Sequence, residues 1–351
     1  MINRRVNYVS IAKAIGIVLV VIGHCVKGRV GNFIYLFHMP LFFMITGYLF
    51  KDSSVRDLST YIKRKIKSIY VPFVIWNALF LVFHNLFFYI GFYKDGVLGL
   101  HRIDNGYSLL KELLGVLTLT HMEQVTAPTW YLRVLFIATL MYAVICVLFN
   151  HNKKIRMVLL GVTYIIPFVF YYAYHGHNSV IIYGILCTIA MFFIEVGRCY
   201  KEFETDKIYN NTGIIIAFIL LVIMNEFGHI NIVSIEFENP IFLFVASLLG
   251  LYMVMGISKA LDKSSLRIKK YLIFIGDHTM IILVLHCFVF KLVNIIYMIT
   301  MKDGDAIYQI SNATSLFWTV IYVLTGVVVP LLLECGYECS KNILKGAKNV
   351  K

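Results

Sequence analysis

"FIYLFHMPLFFMITGYLF", residues 33–50, is apolar enough to lie in a bilayer, yet it carries His38, Pro40 and Gly47. A run of this length with no formal charge reads as a membrane helix. A histidine at such depth needs a polar partner or access to water, and it marks a functional position. Pro40 has no N–H to donate and crowds the carbonyl of Leu36, which predicts a kink there and a cavity beside it.

The same reading along the 351 residues, 60% of them hydrophobic with mean hydropathy +0.79, gives ten apolar windows: 6–26, 31–50, 69–90, 129–149, 155–174, 179–197, 212–227, 240–258, 272–299 and 314–335. The windows are continuous and aromatic-flanked, which predicts helices rather than the short alternating strands of a barrel. The expectation is one all-α integral membrane domain over 1–351 with about ten transmembrane helices. With the N-terminus in the cytoplasm, the cytosolic segments hold 23 Lys and Arg and the outer segments hold 6. That bias sets orientation, puts both termini in the cytosol and accounts for the net charge of +13 without a nucleic acid. Arg4 and Arg5 precede an apolar run that no small-residue cleavage site follows, so the first span reads as an uncleaved anchor.

The seven cysteines lie mostly inside spans, and Cys335 and Cys339 lack the further ligands of a zinc pattern, so no metal is expected. There is no internal repeat and no soluble domain. The longest hydrophilic gap, 91–128, contains a semi-apolar patch at 109–119 that predicts a surface helix. Residues 55–69 place Val55, Leu58, Tyr61, Ile62, Ile66 and Ile69 on one face, with Arg56, Lys63, Arg64, Lys65 and Lys67 on the rest. This predicts a basic interfacial helix.

Polar groups then recur where lipid is expected. Lys13 and His24 are eleven residues apart, which puts them on one helical face about 16 Å from each other along the axis. His38 lies about 10 Å below the outer surface, and the short connection 27–30 makes its span the neighbour of the first. His24 is therefore the expected partner of His38, either directly or across a shared wet pocket. Trp130 and Arg133 start the fourth span, and His286 lies in the outer half of the ninth, about 21 Å above Leu272. Asp277 and His278, near the inner end, read as a cap or headgroup contact. Each basic group has an ordinary use, snorkelling for Lys13 or anchoring for Arg133, but four spans converging at one depth point to a site.

In this order and spacing, "YVSIAKAIGIVLVVIGH" (8–24), "FHMPLFFMITGYLF" (37–50), "YIKRKIKSIYVPFVIWN" (61–77), "TWYLRVLF" (129–136) and "FIGDHTMIILVLH" (274–286) resemble the membrane-bound acyltransferase 3 family. The likeness covers nearly the whole chain and is nearest to members without a fused soluble domain. It implies a multi-pass protein of the bacterial cytoplasmic (inner) membrane that moves an acetyl or similar group from cytosolic acyl-CoA to a surface glycan or lipid-linked sugar. The motif histidines fall on His24, His38 and His286, and the motif basic residue of the first span on Lys13. Some branches carry a glutamate shortly after the fourth-span tryptophan; here the chain reads Leu132, Arg133, Val134, Leu135, which fits a fucose 4-O-acetylase-like branch.

Under that resemblance His24 is the general base, imidazole being suited to proton transfer near pH 7. Arg133, His38 or His286 stabilises the oxyanion. Lys13, Lys63, Arg64, Lys65 and Lys67 receive the phosphates of acetyl-CoA. The rival reading is a transporter or exporter of a glycan or small solute that uses Lys13, His24 and His286 as a relay.

Overall fold

The computed structural model describes residues 6–96, 99–149, 152–174 and 179–348. Arg4, Arg5 and Lys351 lie outside them. Residues 7–25 contain no proline and form α1 (Asn7–Cys25), 19 residues long, or about 28 Å at 1.5 Å per residue. The opening stretch forms two helices, α2 (Arg29–Tyr35) and α3 (His38–Tyr48), broken at Leu36 and Phe37. Phe37 has the non-helical angles φ −146° and ψ −16°. The break falls where Pro40 leaves the Leu36 carbonyl without an N–H partner.

The third span differs from the expectation of a separate interfacial helix. Residues Leu58–Val82 form one span, made of α4 (Leu58–Lys65), a π turn at Ile66–Tyr70 and α5 (Val71–Val82). Asp57 caps the start by accepting from Thr60 N at 3.1 Å. Pro72 would break an ordinary ladder, and the π turn sits just before it, where the missing bond is absorbed. The window 69–90 is also cut short at Phe83, after which α6 (His84–Tyr89) turns away. The expected surface helix is α7 (Gly106–Leu117).

The remaining helices are α8 (Trp130–Leu148), α9 (Lys153–Tyr174), α10 (Ser179–Phe203), α11 (Asn211–Phe227), α12 (Pro240–Lys263), α13 (Ile268–Asp277), α14 (Thr279–Met301) and α15 (Leu316–Lys348). A two-stranded antiparallel ribbon, Ile230–Asn231 with Glu236–Phe237, closes the loop before α12. The chain is thus an all-α integral membrane protein, and eight of its described helical segments are long and apolar enough to cross a bilayer. Of the ten windows, 212–227 is the shorter helix α11, with 17 residues. Window 155–174 lies in α9, whose side chains from 170 onward are outside the described set. The window 272–299 is two helices, because His278 (φ −113°, ψ 26°) interrupts it. His286 is therefore in the early part of α14, not far along one long span. Asp277 accepts from Ser10 Oγ at 2.9 Å and ties α13 to α1, a tertiary role rather than a cap.

Close crossing of α3 and α10 depends on two reciprocal glycines. A Cβ on Gly47 would lie 1.7 Å from the Ile194 carbonyl oxygen, and one on Gly197 would lie 1.9 Å from that of Met44. Without a hydrophobic drive between helices in lipid, such backbone proximity supplies the packing energy. At the end of the molecule where α1 begins, hereafter the N-terminal face, charges are paired. Arg156 meets Glu195 at 3.0 Å and Lys259 meets Glu204 at 3.1 Å, with Tyr48 and Tyr209 also donating to Glu204.

On the opposite face, a cap over residues 84–96 and 99–129 is organised by buried Glu123. It accepts from His84 Nδ1 at 2.9 Å and from the Tyr93 hydroxyl at 2.9 Å. Burial alone would push its carboxyl up, but the bonds from His121, His84 and Tyr93 outweigh that and hold it down to about 2.

The glycine crossing gives a direct expectation. Gly47→Leu cannot be accommodated by a flexible neighbour, since the obstacle is backbone, and should abolish recovery of monodisperse protein in detergent. Gly161→Leu on α9, where a Cβ meets nothing within 4 Å, should be recovered at the yield of the parent protein. Equal recovery of both would show that the α3–α10 crossing is not tight.

Candidate active site

The stripe on α1 predicted from spacing is present. Lys13, Ile17 and Val20 line an apolar cavity of about 180 Å³ whose other walls include Met39, Tyr131 and Leu283. One turn further along the same face, His24 lines a second cavity of about 290 Å³ with Lys27, Asn32, Tyr35, Gln309 and Ser311. A third cavity, about 340 Å³, opens at the N-terminal face beside Lys51, Tyr61, Arg64 and Lys65. It shares Thr46 and Leu49 with the apolar cavity. The basic and apolar cavities thus lead from the N-terminal face, past Lys13, to Val20, one turn short of the His24 cavity.

His24 and His286 are in ring contact, with centroids 5.2 Å apart and planes inclined by 40°. The imidazoles of His38 and His286 both lie within electrostatic range of His24. His38 Nδ1 is 2.9 Å from the Ile34 carbonyl and His286 Nδ1 is 2.8 Å from that of Ile282. A carbonyl only accepts, so in both rings Nδ1 carries the proton, and the neutral ring presents Nε2 as an acceptor. His286 Nε2 is buried and has no partner among the described residues. His38 and His286 are 6% and 0% exposed, whereas His24 is half-buried and faces its cavity.

Sequence reasoning missed Tyr35, whose ring lies 5.0 Å from that of His38 and whose hydroxyl donates to Gly23 O at 3.1 Å. Its position three residues before His38 was the available signal. Also missed was the segment 303–314, whose Ser311 donates to the His24 carbonyl at 2.9 Å. No local pattern announces a contact across that sequence distance.

Arg133 is not brought to the histidines. It donates to Leu119 O at 3.0 Å, and its guanidinium carbon lies 3.5 Å from the Tyr183 ring centre. Its neighbours Tyr131, Leu132 and Leu135 line the apolar cavity instead. Lys63 and Lys67 are exposed, away from the basic cavity that Arg64 and Lys65 line. Among the described residues, His278, Glu334 and Glu338 bring possible metal-ligand atoms within 4.8 Å of one another. They belong to the start of α14 and to α15, outside the linings of the three cavities.

The profile of the acyltransferase 3 family, described as an acyltransferase domain, matches residues 6–335. The chain belongs to that family and is a membrane acyltransferase, which sets aside the transporter reading. No curated protein and no solved structure matches it.

The geometry predicts unequal access to the three rings. Diethyl pyrocarbonate applied to the folded protein, with mass spectrometry of the digest, should modify His24 well before His38 or His286. Modification of His286 at the rate of His24 would contradict the cavity assignment.

Proposed function

We propose that the protein transfers an acyl group, acetyl foremost, from acyl-CoA at the N-terminal face to a hydroxyl of a glycan or lipid-linked sugar at the opposite face. The observation that carries this reading is the succession of three cavities that ends at His24. The first has Lys51, Arg64 and Lys65 for the donor phosphates. The apolar cavity between it and His24 suits the extended arm that bears the thioester. The charge bias supports the basic end as cytosolic, and the family resemblance supports the cytoplasmic membrane of a bacterium.

In the proposed reaction, His24 takes the proton of the acceptor hydroxyl as its oxygen attacks the thioester carbonyl. The C–O bond forms, the tetrahedral oxyanion collapses, and the C–S bond breaks. The proton on His24 passes to the departing sulfur, releasing free CoA. We assign His286, whose Nε2 lone pair is without a partner among the described residues and whose ring lies against that of His24, to accept from the other ring nitrogen of His24 during the reaction and orient it, as an orienting partner does in nucleophile–base pairs generally. His38 in the same tautomer is likewise an acceptor, so the oxyanion needs an N–H from elsewhere. The Asn32 amide, in the same cavity as His24, is a neutral donor at that place. Arg133 is assigned to packing under Leu119, and Lys13 to the donor route.

His24→Ala should lower turnover by roughly 10² to 10⁴-fold, the range for a general base, with acyl-CoA binding retained. A variant that keeps more than about a tenth of the parent rate, at equal amounts of inserted protein, would remove His24 from the proton transfer.

The two halves of the basic segment should separate kinetically. Reversing Arg64 and Lys65 to Glu should raise KM for acetyl-CoA with little change in kcat, because binding remote from the reacting atoms appears in KM. Reversing Lys63 and Lys67 should have the smaller effect. Equal effects from the two pairs would indicate a diffuse surface charge rather than a donor cavity.

A further inference from the structure

A fourth cavity, of about 460 Å³, adjoins that of His24 and shares Lys27, Gln309 and Ser311 with it. Its own walls add Asp303, Asp305, Asn312 and Thr314, with only small apolar side chains between them. The two volumes lie near or within the range of about 300–1,000 Å³ usual for small-ligand sites. Each is lined by both donors and acceptors.

The segment that separates them is held firmly. The carbonyls of Ile307, Tyr308 and Gln309 converge on Lys291 Nζ at 2.9, 3.2 and 3.0 Å. Lys291 is 3% exposed, so this cage is its means of burial in α14. Asn294 adds a bond to Gln309 O at 2.9 Å, and Asn312 bonds Ala306 O at 2.7 Å. Ser311 ties the segment to His24 itself. Gln309 thus has a fixed main chain, and the residue lines both cavities.

We propose that the fourth cavity is a subsite for the sugar unit next to the one acylated, so that the acceptor is an uncharged or amino-sugar saccharide of at least two units, read by Gln309 between them. This rests on the acyl-transfer reading above. A rigid wall of amides, hydroxyls and carboxylates matches a polyhydroxylated ring, whose hydroxyls both donate and accept. Asp303 and Asp305 outnumber Lys27 in the lining, which disfavours uronic acids and phosphorylated sugars. The side chain of Asp305 is 85% exposed, with Lys94 at 4.0 Å, so it can be changed without disturbing the core.

The test uses purified protein in vesicles with radiolabelled acetyl-CoA. Methyl glycosides of L-fucose, D-mannose and N-acetyl-D-glucosamine are compared with disaccharides in which each is linked to a neutral hexose or to a glucuronic acid. For the sugar that is accepted, the neutral disaccharide should exceed the methyl glycoside in kcat/KM by about tenfold or more, equivalent to roughly 1.4 kcal/mol, mostly through KM. The glucuronic acid disaccharide should show no such gain. Asp305→Arg should bring the neutral ratio to within about twofold and narrow the difference between the two disaccharides. Gln309→Ala should lower kcat/KM for glycoside and disaccharide together. Transfer to the methyl glycoside with no gain from the second sugar, or a gain that survives Asp305→Arg, would overturn the subsite alone. Absence of label in every saccharide would overturn the glycan-acylation reading on which it rests.

Discussion

Two hydrogen bonds of one helical turn each govern the site: His38 Nδ1 to Ile34 O and His286 Nδ1 to Ile282 O. Inside a membrane protein a ring N–H must find its acceptor within the protein, and the preceding turn offers its carbonyl. Once Nδ1 is committed, the tautomer is set and Nε2 is left as a lone pair. Two such acceptors near His24 make an oriented, acceptor-lined surrounding. The Ile34 bond also depends on the interruption at Leu36 and Phe37, because that break sets how α3 leaves α2. Pro40 therefore acts on the placement of His38 through the backbone.

Around this centre α1 serves as the shared wall. It packs against α2, α3, α12, α13, α14 and α15, and its single polar stripe faces the cavities in turn. α14 continues beyond His286 for about 22 Å, so the end of α1 is recessed below the end of its neighbour. The segment 303–314 roofs that recess. A hydroxyl reaching His24 from this side enters a walled, polar volume, whereas a chain coming from the N-terminal face passes apolar side chains. In the proposed reaction the polar side takes the glycan and the apolar side the acyl-bearing arm.

Much of this was legible in the sequence, for reasons that are local. The Lys13 to His24 stripe follows from helical periodicity, the break near Leu36 from the geometry of proline, and the adjacency of the first two spans from a short connection. The illegible parts have distant causes. Arg133 reads as a site residue by depth, but its partners Leu119 and Tyr183 lie on the cap and on α10. The continuity of α4 with the third span turns on a π turn that no composition signals, and the close approach of α13 to α1 at Gly276 and Ser10 on a tertiary contact that lies far off in sequence. Lys291 is a charge within an apolar window, and only the fold supplies the three carbonyls that cage it.

The central claim is that donor and acceptor approach His24 from opposite faces. Vesicles of defined orientation, with radiolabelled acetyl-CoA and acceptor each confined to one side, test it most directly. Transfer is predicted when acetyl-CoA is on the side of the N-terminal face and the acceptor on the other, and the reversed placement should give none. Transfer that requires both substrates on the same side would contradict the account.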